Sequence, residues 1–318
     1  MTAFFTVPLF EQMPDRPSVH CATLTELPDG TLLSAWFAGS REMARDVVLM
    51  MARLEPGAQA WSAPQLLVEV PGRSLGQPIF LPHPNGELWF FFNVIMDAHW
   101  TSAQPYWQRS TDGGYSWQSA QPLMDYPGLM FRSKPFLLPG RIILPAYDET
   151  TWQSRMLLSD DAGQSWRITA PLTSPQGNIH PCIVQLADGR LMAYLRTGGK
   201  GGVIWRTESS DRGETWAEPT ATELPNPNAG IDLIGLDSGA LLLAYNPSAQ
   251  RRTPLCVAWS SEDEHWPHQQ TLEDADGEFS YPTLLQGTAG DIHLVYTHRR
   301  QHIQYARFDE AWVRAGTH

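Results

Sequence analysis

The sequence has 318 residues, more than one compact domain usually holds, so it predicts either two ordinary domains or one large closed β structure. Hydrophobic residues make up 42% and charged residues 18%, with 25 glycines, 26 prolines and 13 tryptophans, which is typical of a turn-rich folded protein and excludes a disordered one. The formal net charge of -12 repels a phosphate backbone and no run of lysines or arginines offsets it, so we expect no nucleic-acid partner.

The cysteines and the N-terminus bear on the compartment. Cys21, Cys182 and Cys256 are too few for a disulfide framework and fit no zinc spacing, so we predict that they are small buried residues. Residues 1–20 have no basic segment followed by a continuous apolar one, and no apolar run has the length of a membrane span. We therefore expect no membrane partner and a cytoplasmic protein, or a periplasmic or secreted one if a leader was removed; the oligomeric state is not predicted.

A strand–turn–strand unit recurs six times along the chain. Its turns end in glycine and are, in chain order, Asp29-Gly30, Asn85-Gly86, Pro139-Gly140, Asp188-Gly189, Ser238-Gly239 and Ala289-Gly290, with glycines 56, 54, 49, 50 and 51 residues apart. Asp-Gly between two apolar segments of period two is a strong hairpin signal. Small sheets repeated at this period are typical of propeller blades. The sequence thus predicts an all-β protein, a six-bladed β-propeller that forms a single domain over residues 1–318.

Three copies of the pattern Ser-x-Asp-x-Gly-x-x-Trp, the Asp box, follow the third strands of the second, third and fourth units. They run from Ser110 to Trp117, from Ser159 to Trp166 and from Ser209 to Trp216. The aspartate can bind the backbone of its own turn, the glycine supplies a left-handed residue, and the tryptophan fills the gap between adjacent sheets. Trp61 and Trp266 occupy the same place in degenerate copies. We predict a structural role for the boxes, with the sixth unit closed by Trp312 or by the N-terminal strand near Phe4 to Val7.

Polar residues at the ends of first and second strands are the candidate functional residues. The innermost strand of a propeller blade lines the central channel, so we expect these side chains to converge at one mouth. They are His20, Arg41, Asp46, Arg132, Lys134, Tyr147, Asp148, Glu149, His180, Arg196, Asn228, Asp232, Arg252 and Tyr281. Arginines gathered in so acidic a protein predict an anion site.

Several segments carry a resemblance to a known family. They are WFAGSRE, RSKP, AYDE, LRT, PNPNAGID, AYNPS and SYPTLLQ. Over nearly its whole length the chain resembles the sialidase (neuraminidase) superfamily, in particular its bacterial branch with BNR, or Asp-box, repeats. Sialidases hold the substrate carboxylate with three arginines, use an aspartate as acid and base, and attack with a tyrosine that a glutamate activates. The resemblance therefore implies the sialidase-like propeller, an acidic oligosaccharide as substrate, and no cofactor.

Four catalytic and binding roles carry over from the family pattern. Asp46, in the loop after the second strand, resembles the acid and base, and Tyr281, in Tyr-x-x-Leu, resembles the nucleophile. Arg196 and Arg252 resemble the second and third arginines of the triad. The further residues that we expect to bind substrate are Arg41, Arg132, Lys134, Asp148, Asn228 and Asp232.

Two positions depart from the family pattern. His20 stands where the first arginine is expected, and His180 where the glutamate that activates the tyrosine is expected. A tyrosine hydroxyl, with an ordinary pKa near ~10, needs a nearby base, and histidine can serve as one at neutral pH. Lys134 can assist two arginines, but the exchange of an arginine fork means that the ligand need not be sialic acid.

Three functions and several structural alternatives therefore stand. The first is a sialidase-like glycoside hydrolase that removes a terminal acidic sugar, the second a lyase of uronate glycans with His and Tyr chemistry, and the third a glycan-binding propeller without catalysis. The structural alternatives are ion pairs for Arg196 and Arg252, a solvated loop position for Asp46, and a channel-lining aromatic for Tyr281. No local spacing of His20, His180 and acidic residues supports a metal site.

Overall fold

The computed structural model describes residues 4–262 and 265–316, whose regular structure is almost entirely antiparallel β-sheet. These residues divide into two compact units. The first comprises residues 4–131 and Tyr281–Phe308, and the second comprises the described parts of residues 132–280 and 309–316. Each unit contains three sheets, which follow the repeats of the sequence.

The first unit contains sheets 1, 2 and 6. Sheet 1 is β2 (Ser18–Glu26), β3 (Leu32–Gly39), β4 (Val48–Leu54) and β5 (Gln65–Val68); sheet 2 is β6 (Ser74–Pro82), β7 (Leu88–Ile95), β8 (Ala103–Ser110) and β9 (Gln121–Pro122). Sheet 6 is β1 (Phe5–Pro8), β25 (His302–Phe308), β24 (Ile292–His298) and β23 (Phe279–Gln286), whose first two residues belong to the second unit. A short 3-10 helix (Trp100–Ser102) and β10 (Leu129–Phe131) complete this unit.

The second unit contains sheets 3, 4 and 5 and a short helix. Sheet 3 is β11 (Phe136–Leu138), β12 (Arg141–Asp148), β13 (Gln153–Ser159) and β14 (Arg167–Ile168); sheet 4 is β15 (Asn178–Gln185), β16 (Leu191–Thr197), β17 (Gly202–Ser209) and β18 (Thr220–Asn226). Sheet 5 is β19 (Asp232–Gly235), β20 (Leu241–Tyr245), β21 (Leu255–Ser260) and β22 (His268–Glu273), and α1 spans Glu310–Arg314. Asp309 caps this helix by accepting a hydrogen bond from the Trp312 amide at 2.8 Å.

The N-terminal strand closes sheet 6, as one of the two sequence alternatives predicts. Phe5 pairs with Arg307 and Pro8 pairs with Gln304, so strand β1 becomes the fourth strand of the last repeat. Trp312 instead lies in α1. The sheet is therefore built from both ends of the chain.

The middle strands of the sheets are buried on both faces. Every residue of β3 and of β7 is buried, and sheet 1 packs against sheet 2 on one side and against sheet 6 on the other. The three cysteines are free and buried, as predicted. Among the described residues, no helix combines the length and the apolar character needed to cross a membrane.

The Asp boxes form closed turns whose hydrogen bonds are local, which confirms their structural role. In the second box, Asp161 accepts from the Ser165 amide at 2.9 Å, from the Ser165 hydroxyl at 2.6 Å and from the Ser159 hydroxyl at 2.8 Å. These bonds, led by that of the Ser165 hydroxyl, lower the pKa of Asp161 to about 2. Gly163 has a φ of 85° and donates its amide to Ser159 at 2.7 Å. The tryptophan of the third box, Trp216, packs on a cluster from sheets 3 and 4.

Candidate functional site

Four first strands carry a residue in the left-handed region at the same place. Cys21, Gln77, His180 and Tyr281 have φ values of 59°, 55°, 54° and 54°. In sheets 1, 2 and 4 the register with the second strand shifts at this point, as in a β-bulge. A bulge re-aims a side chain, and side chains other than glycine adopt this conformation only where the surroundings compensate its cost. Two of the four, His180 and Tyr281, are predicted catalytic residues.

In the first unit the left-handed residue Tyr281 lies against His20. The two ring centroids are 4.2 Å apart with an edge-on geometry, and the residues are 7% and 1% exposed. The neighbouring bulge residue, Cys21, donates its thiol to Gln77 Oε1 at 2.9 Å. His20, the residue that stands in place of the first arginine, therefore contacts the predicted nucleophile.

Thr297 controls the protonation pattern of His20. Its hydroxyl oxygen lies 2.9 Å from His20 Nδ1 and accepts the Cys21 amide at 3.1 Å. When this hydroxyl donates to Nδ1, the ring proton of a neutral His20 is on Nε2; when it accepts from Nδ1, Nε2 carries a lone pair and can act as a base. The orientation of the Thr297 hydroxyl thus determines whether His20 Nε2 is a hydrogen-bond donor or a base.

The loop after β3 holds Arg41 and Asp46, both exposed. Asp46 accepts from the Ser40 amide at 3.1 Å and from the Ser40 hydroxyl at 3.0 Å. Glycine is required at position 39, because a Cβ there would lie 2.8 Å from Val47 and 3.1 Å from the Asp46 carboxylate. The glycine of WFAGSRE therefore lets the loop fold back and fixes the Asp46 carboxylate.

In the second unit, Asn228 joins the two predicted arginines. Arg196 Nε donates to Asn228 Oδ1 at 2.9 Å, and Arg252 Nη2 donates to the Asn228 carbonyl at 3.1 Å. Arg252 Nη1 also donates to Glu278 at 2.7 Å, and the Ser280 hydroxyl donates to the same carboxylate oxygen at 2.8 Å. Arg252 therefore forms an ion pair with Glu278.

His180 is bound to Arg196 within the same unit. Arg196 Nη1 lies 3.3 Å from His180 Nδ1, and because a guanidinium can only donate, Nδ1 is the acceptor and the ring proton is on Nε2. The His180 ring also contacts Tyr147 edge-on, with centroids 4.9 Å apart. Gly198 follows β16 and lies close to Gln176. A Cβ at position 198 would be 2.2 Å from the Gln176 carbonyl oxygen, so only glycine fits beside the end of the strand that holds Arg196.

Glu149 is a protonatable carboxyl beside this cluster. Burial raises its pKa to about 7, the charge of Arg196 opposes that rise, and the charge of Asp148 adds to it. The sequence places Glu149 among the channel residues but gives it no role, because the burial that raises its pKa is not readable from the segment AYDE. At neutral pH this group exchanges a proton readily.

The remaining predicted residues of the second unit have partners in the protein. Lys134 forms an ion pair with Asp232, whose side chain is 4% exposed. Asp148 accepts from the amides of Thr150 at 2.7 Å and Thr151 at 3.2 Å, so it closes the turn after β12. Arg132 is buried, 3% exposed. These residues build the surroundings of the site, and a direct contact with substrate stays a prediction for them.

The predicted residues thus fall into two groups. His20, Arg41, Asp46 and Tyr281 belong to the first unit, where His20 and Tyr281 touch. The ten others belong to the second unit; hydrogen bonds join His180, Arg196, Asn228 and Arg252, and an ion pair joins Lys134 to Asp232. Sequence reasoning missed Thr297, Glu278 and the role of Glu149, since each becomes notable only through a contact or through burial. Across the described ranges, no three histidine, cysteine or acidic side chains are close enough to hold a metal ion.

Comparisons with known proteins agree with this architecture. The family model described as BNR repeat-like domain matches residues 30–294. An anhydrosialidase of Macrobdella decora is 34% identical over 177 residues, which are 49% of this chain and 23% of that protein. The chain therefore spans less than a quarter of the length of this curated relative.

Solved structures of sialidases share the fold. The Hadza microbial sialidase Hz136 superposes with a TM-score of 0.84 at 17% identity, over 97% of this chain and 69% of that one. A leech intramolecular trans-sialidase complexed with 2,7-anhydro-Neu5Ac superposes with a TM-score of 0.82 at 14% identity, over 98% of this chain and 71% of that one. With the six sheets, this likeness confirms the predicted fold class, an all-β six-bladed propeller of the sialidase kind.

Proposed function

The chain belongs to the BNR repeat-like domain family of the sialidase superfamily, and from that premise we propose that it is a glycoside hydrolase that removes a terminal acidic sugar from a glycan. The observation that carries the proposal is the pair of arginines, Arg196 and Arg252, joined through Asn228 in a protein of net charge -12. Their charge-assisted hydrogen bonds fix both guanidinium groups before a ligand arrives.

The arginine pair is suited to a carboxylate. A guanidinium presents its N–H groups as a planar fork that matches the two oxygens of a carboxylate. The protonation state of Glu149 changes the affinity of Arg196 for a carboxylate. Protonated Glu149 is neutral and does not interact with the Arg196 charge, whereas ionised Glu149 competes with the substrate carboxylate for it. Binding of an acidic sugar is therefore favoured on the acid side of the Glu149 pKa.

Tyr281 is the proposed nucleophile and His20 its base. The Tyr281 oxygen forms a bond to the anomeric carbon while the bond from that carbon to the leaving oxygen breaks; the phenol proton passes to His20. Asp46 gives its proton to the leaving oxygen and then takes one from the water that releases the sugar. The ring contact between His20 and Tyr281 supports His20 as the base in preference to His180, whose Nδ1 lone pair accepts from Arg196.

A screen of acidic-sugar oligosaccharides tests the proposal. Sialosides and uronates are incubated with the protein, and the products are read by mass spectrometry. We expect release of a free acidic sugar, with the products together one water heavier than the substrate. Turnover of neutral glycosides alone, or of none of these glycans, would overturn the proposal.

A Tyr281→Phe variant tests the assigned nucleophile. It removes one hydroxyl from a ring that stays packed on His20, so we expect an unchanged unfolding free energy and a loss of turnover of roughly 10³-fold or more. A Phe37→Leu variant, which alters another aromatic neighbour of His20, is the control for a change in packing around that ring. Full activity of Tyr281→Phe on the same substrate would remove Tyr281 from the mechanism.

An elimination on a uronate glycan is the second candidate, because one cluster favours it. His180 contacts both Tyr147 and Arg196, so a tyrosine that can act as a base and a carboxylate-neutralising charge lie beside the same ring. In that reaction the base takes the proton next to the carboxylate, a carbon–carbon double bond forms, and the glycosidic oxygen leaves with the electron pair. Elimination is identified by an unsaturated product that absorbs ultraviolet light and by products whose combined mass equals that of the substrate, with no water added.

A further inference from the structure

The fifth repeat departs from the Asp-box pattern at its tryptophan turn. Ser209 and Trp216 of the third box are seven positions apart, whereas Ser260 and Trp266 are six apart with no glycine between them. In the third box Trp216 donates its indole N–H to Gly213 of its own turn at 3.1 Å. Trp266 instead donates to the hydroxyl of Tyr194, in the neighbouring sheet, at 3.3 Å. The loss of the box thus redirects this indole toward sheet 4.

A cavity of about 750 Å³ opens between sheets 4 and 5 beside this turn. Its floor contains Tyr194, Tyr245 and Trp266, which are 1%, 2% and 5% exposed and therefore rigid. Tyr245 donates its hydroxyl to Gln269 Oε1 at 2.9 Å, which orients the amide of Gln269 at the wall of the cavity. The volume lies in the range of pockets that hold small organic ligands.

The charges around the cavity select against acidic ligands. Glu223 lines it and makes no ion pair within the described residues. Arg206, the lining arginine, belongs to a chain of ion pairs with Glu208, Arg190 and Asp188, in which two positive and two negative charges balance. The excess charge is therefore negative, opposite to that of the arginine pair at Arg196 and Arg252.

The polar and apolar groups of the lining suit a ring that is polar at its edge and apolar on its face. Leu224 and Pro247 supply apolar wall, while Glu223, His265 and Gln269 supply hydrogen-bonding groups. A carboxylate accepts from two neighbouring hydroxyls, and an amide donates to a third. We propose that this cavity is a binding site for a neutral sugar, separate from the acidic-sugar chemistry.

Titration of the full chain with sugars, followed by ligand-observed NMR, tests this site. The probes are the methyl glycosides of galactose, glucose and N-acetylglucosamine, with glucuronic acid and sialic acid as acidic probes. Glu223→Ala removes the carboxylate, and Thr220→Trp fills the cavity from an exposed position of β18. Glu218→Ala, at an exposed glutamate outside the lining, is the matched control.

The expected result is saturable binding of at least one neutral glycoside. We expect Glu223→Ala to weaken it about tenfold or more, Thr220→Trp to abolish it, and Glu218→Ala and Tyr281→Phe to leave it unchanged. Should Thr220→Trp fail to fold, Glu223→Ala alone decides. No binding of any neutral probe, binding that survives in Glu223→Ala, or tighter binding of the acidic probes at this site would overturn the inference. Tyr281→Phe retains this cavity, so neutral-sugar binding can be measured whether or not the protein hydrolyses an acidic sugar.

Discussion

The Asp-box turns and the bulges of the first strands are both repeated features, yet they differ in what is repeated. Three boxes keep the same residues at the same places, because the serine, aspartate and glycine satisfy one another's hydrogen bonds locally. The bulges keep only their backbone conformation and hold four different side chains, Cys21, Gln77, His180 and Tyr281.

This difference separates stability from function. Where the repeat conserves side chains, it solves the same structural problem in every blade. Where the repeat conserves only the backbone conformation, the side chain can differ from blade to blade and is available for chemistry. A residue other than glycine in the left-handed region then indicates a functional position. We therefore expect variants of the site to change activity with little change in stability, and variants of the boxes to do the reverse.

The largest effect on substrate binding is expected at Arg196. Arg196→Gln removes the charge but keeps a polar side chain, so KM for an acidic sugar should rise about 10- to 100-fold, with a smaller change in kcat. Arg196→Lys keeps the charge but loses the planar guanidinium and its Nε hydrogen bond to Asn228, so its KM should lie between those of the wild type and Arg196→Gln. Steady-state kinetics on the substrate from the screen measure both.

Arg190→Gln is the control for this comparison. Arg190 is a surface residue paired with Asp188 and Glu208 at the other end of the same sheet. Its loss should leave KM unchanged. An unaltered KM in Arg196→Gln would contradict the assignment of Arg196 to the carboxylate.

A smaller, pH-dependent effect is expected at Glu149. Its pKa is raised from 4.5 to about 7, so the folded protein holds this proton more tightly than the unfolded chain does. The resulting stabilisation is complete below the unfolded pKa and is lost as the pH rises through about 7; its size is about 1–2 kcal/mol for a partly exposed group. Urea unfolding at several pH values should show this slope in the wild type and a flatter one in Glu149→Gln.

The same variant connects Glu149 to substrate binding. Above pH 7 the ionised Glu149 competes for Arg196, so KM should rise with pH in the wild type and not in Glu149→Gln. Glu218→Gln, at an exposed glutamate, is the matched control and should behave as the wild type. A KM with the same pH dependence in Glu149→Gln and wild type would remove Glu149 from the site.

The smallest effect, and one on stability alone, is expected at Asp211. Its carboxylate accepts from the Thr215 amide at 2.9 Å, the Thr215 hydroxyl at 2.6 Å and the Ser209 hydroxyl at 2.8 Å. Asp211→Ala should lower the unfolding free energy by about 1 kcal/mol with kcat and KM unchanged. Asp274→Ala, at an exposed aspartate, should change neither. A loss of activity in Asp211→Ala without a loss of stability would contradict the separation of the two features.

Most of the fold is predictable from the sequence because its signals are local. Asp-Gly turns such as Asp188-Gly189 determine hairpins over a few residues, and the boxes mark the third turn of three blades. The closure of sheet 6 is less accessible, because the pairing of Phe5 with Arg307 joins opposite ends of the chain. The sequence therefore leaves two ways to close the sixth unit, with Trp312 or with the N-terminal strand, and tertiary packing decides between them.

The site is predictable only as a set of residue types. The family pattern locates Arg196, Arg252 and Tyr281, but their partners Asn228, Glu278 and His20 are set by folding. The sequence assigns His180 as the base for the tyrosine, which stays a prediction, and it does not reveal that His20 lies against Tyr281. Side chains from distant strands meet here, and spacing along one strand carries no information about them.

Product analysis in isotopically labelled water tests the central claim, hydrolysis of a terminal acidic sugar, most directly. The protein is incubated with an acidic-sugar oligosaccharide in water enriched in heavy oxygen, and the released sugar is weighed. We expect one labelled oxygen, at the anomeric carbon, in the sugar released by the wild type, and no product with Tyr281→Phe. An unlabelled, dehydrated sugar, or an unsaturated one, would contradict it.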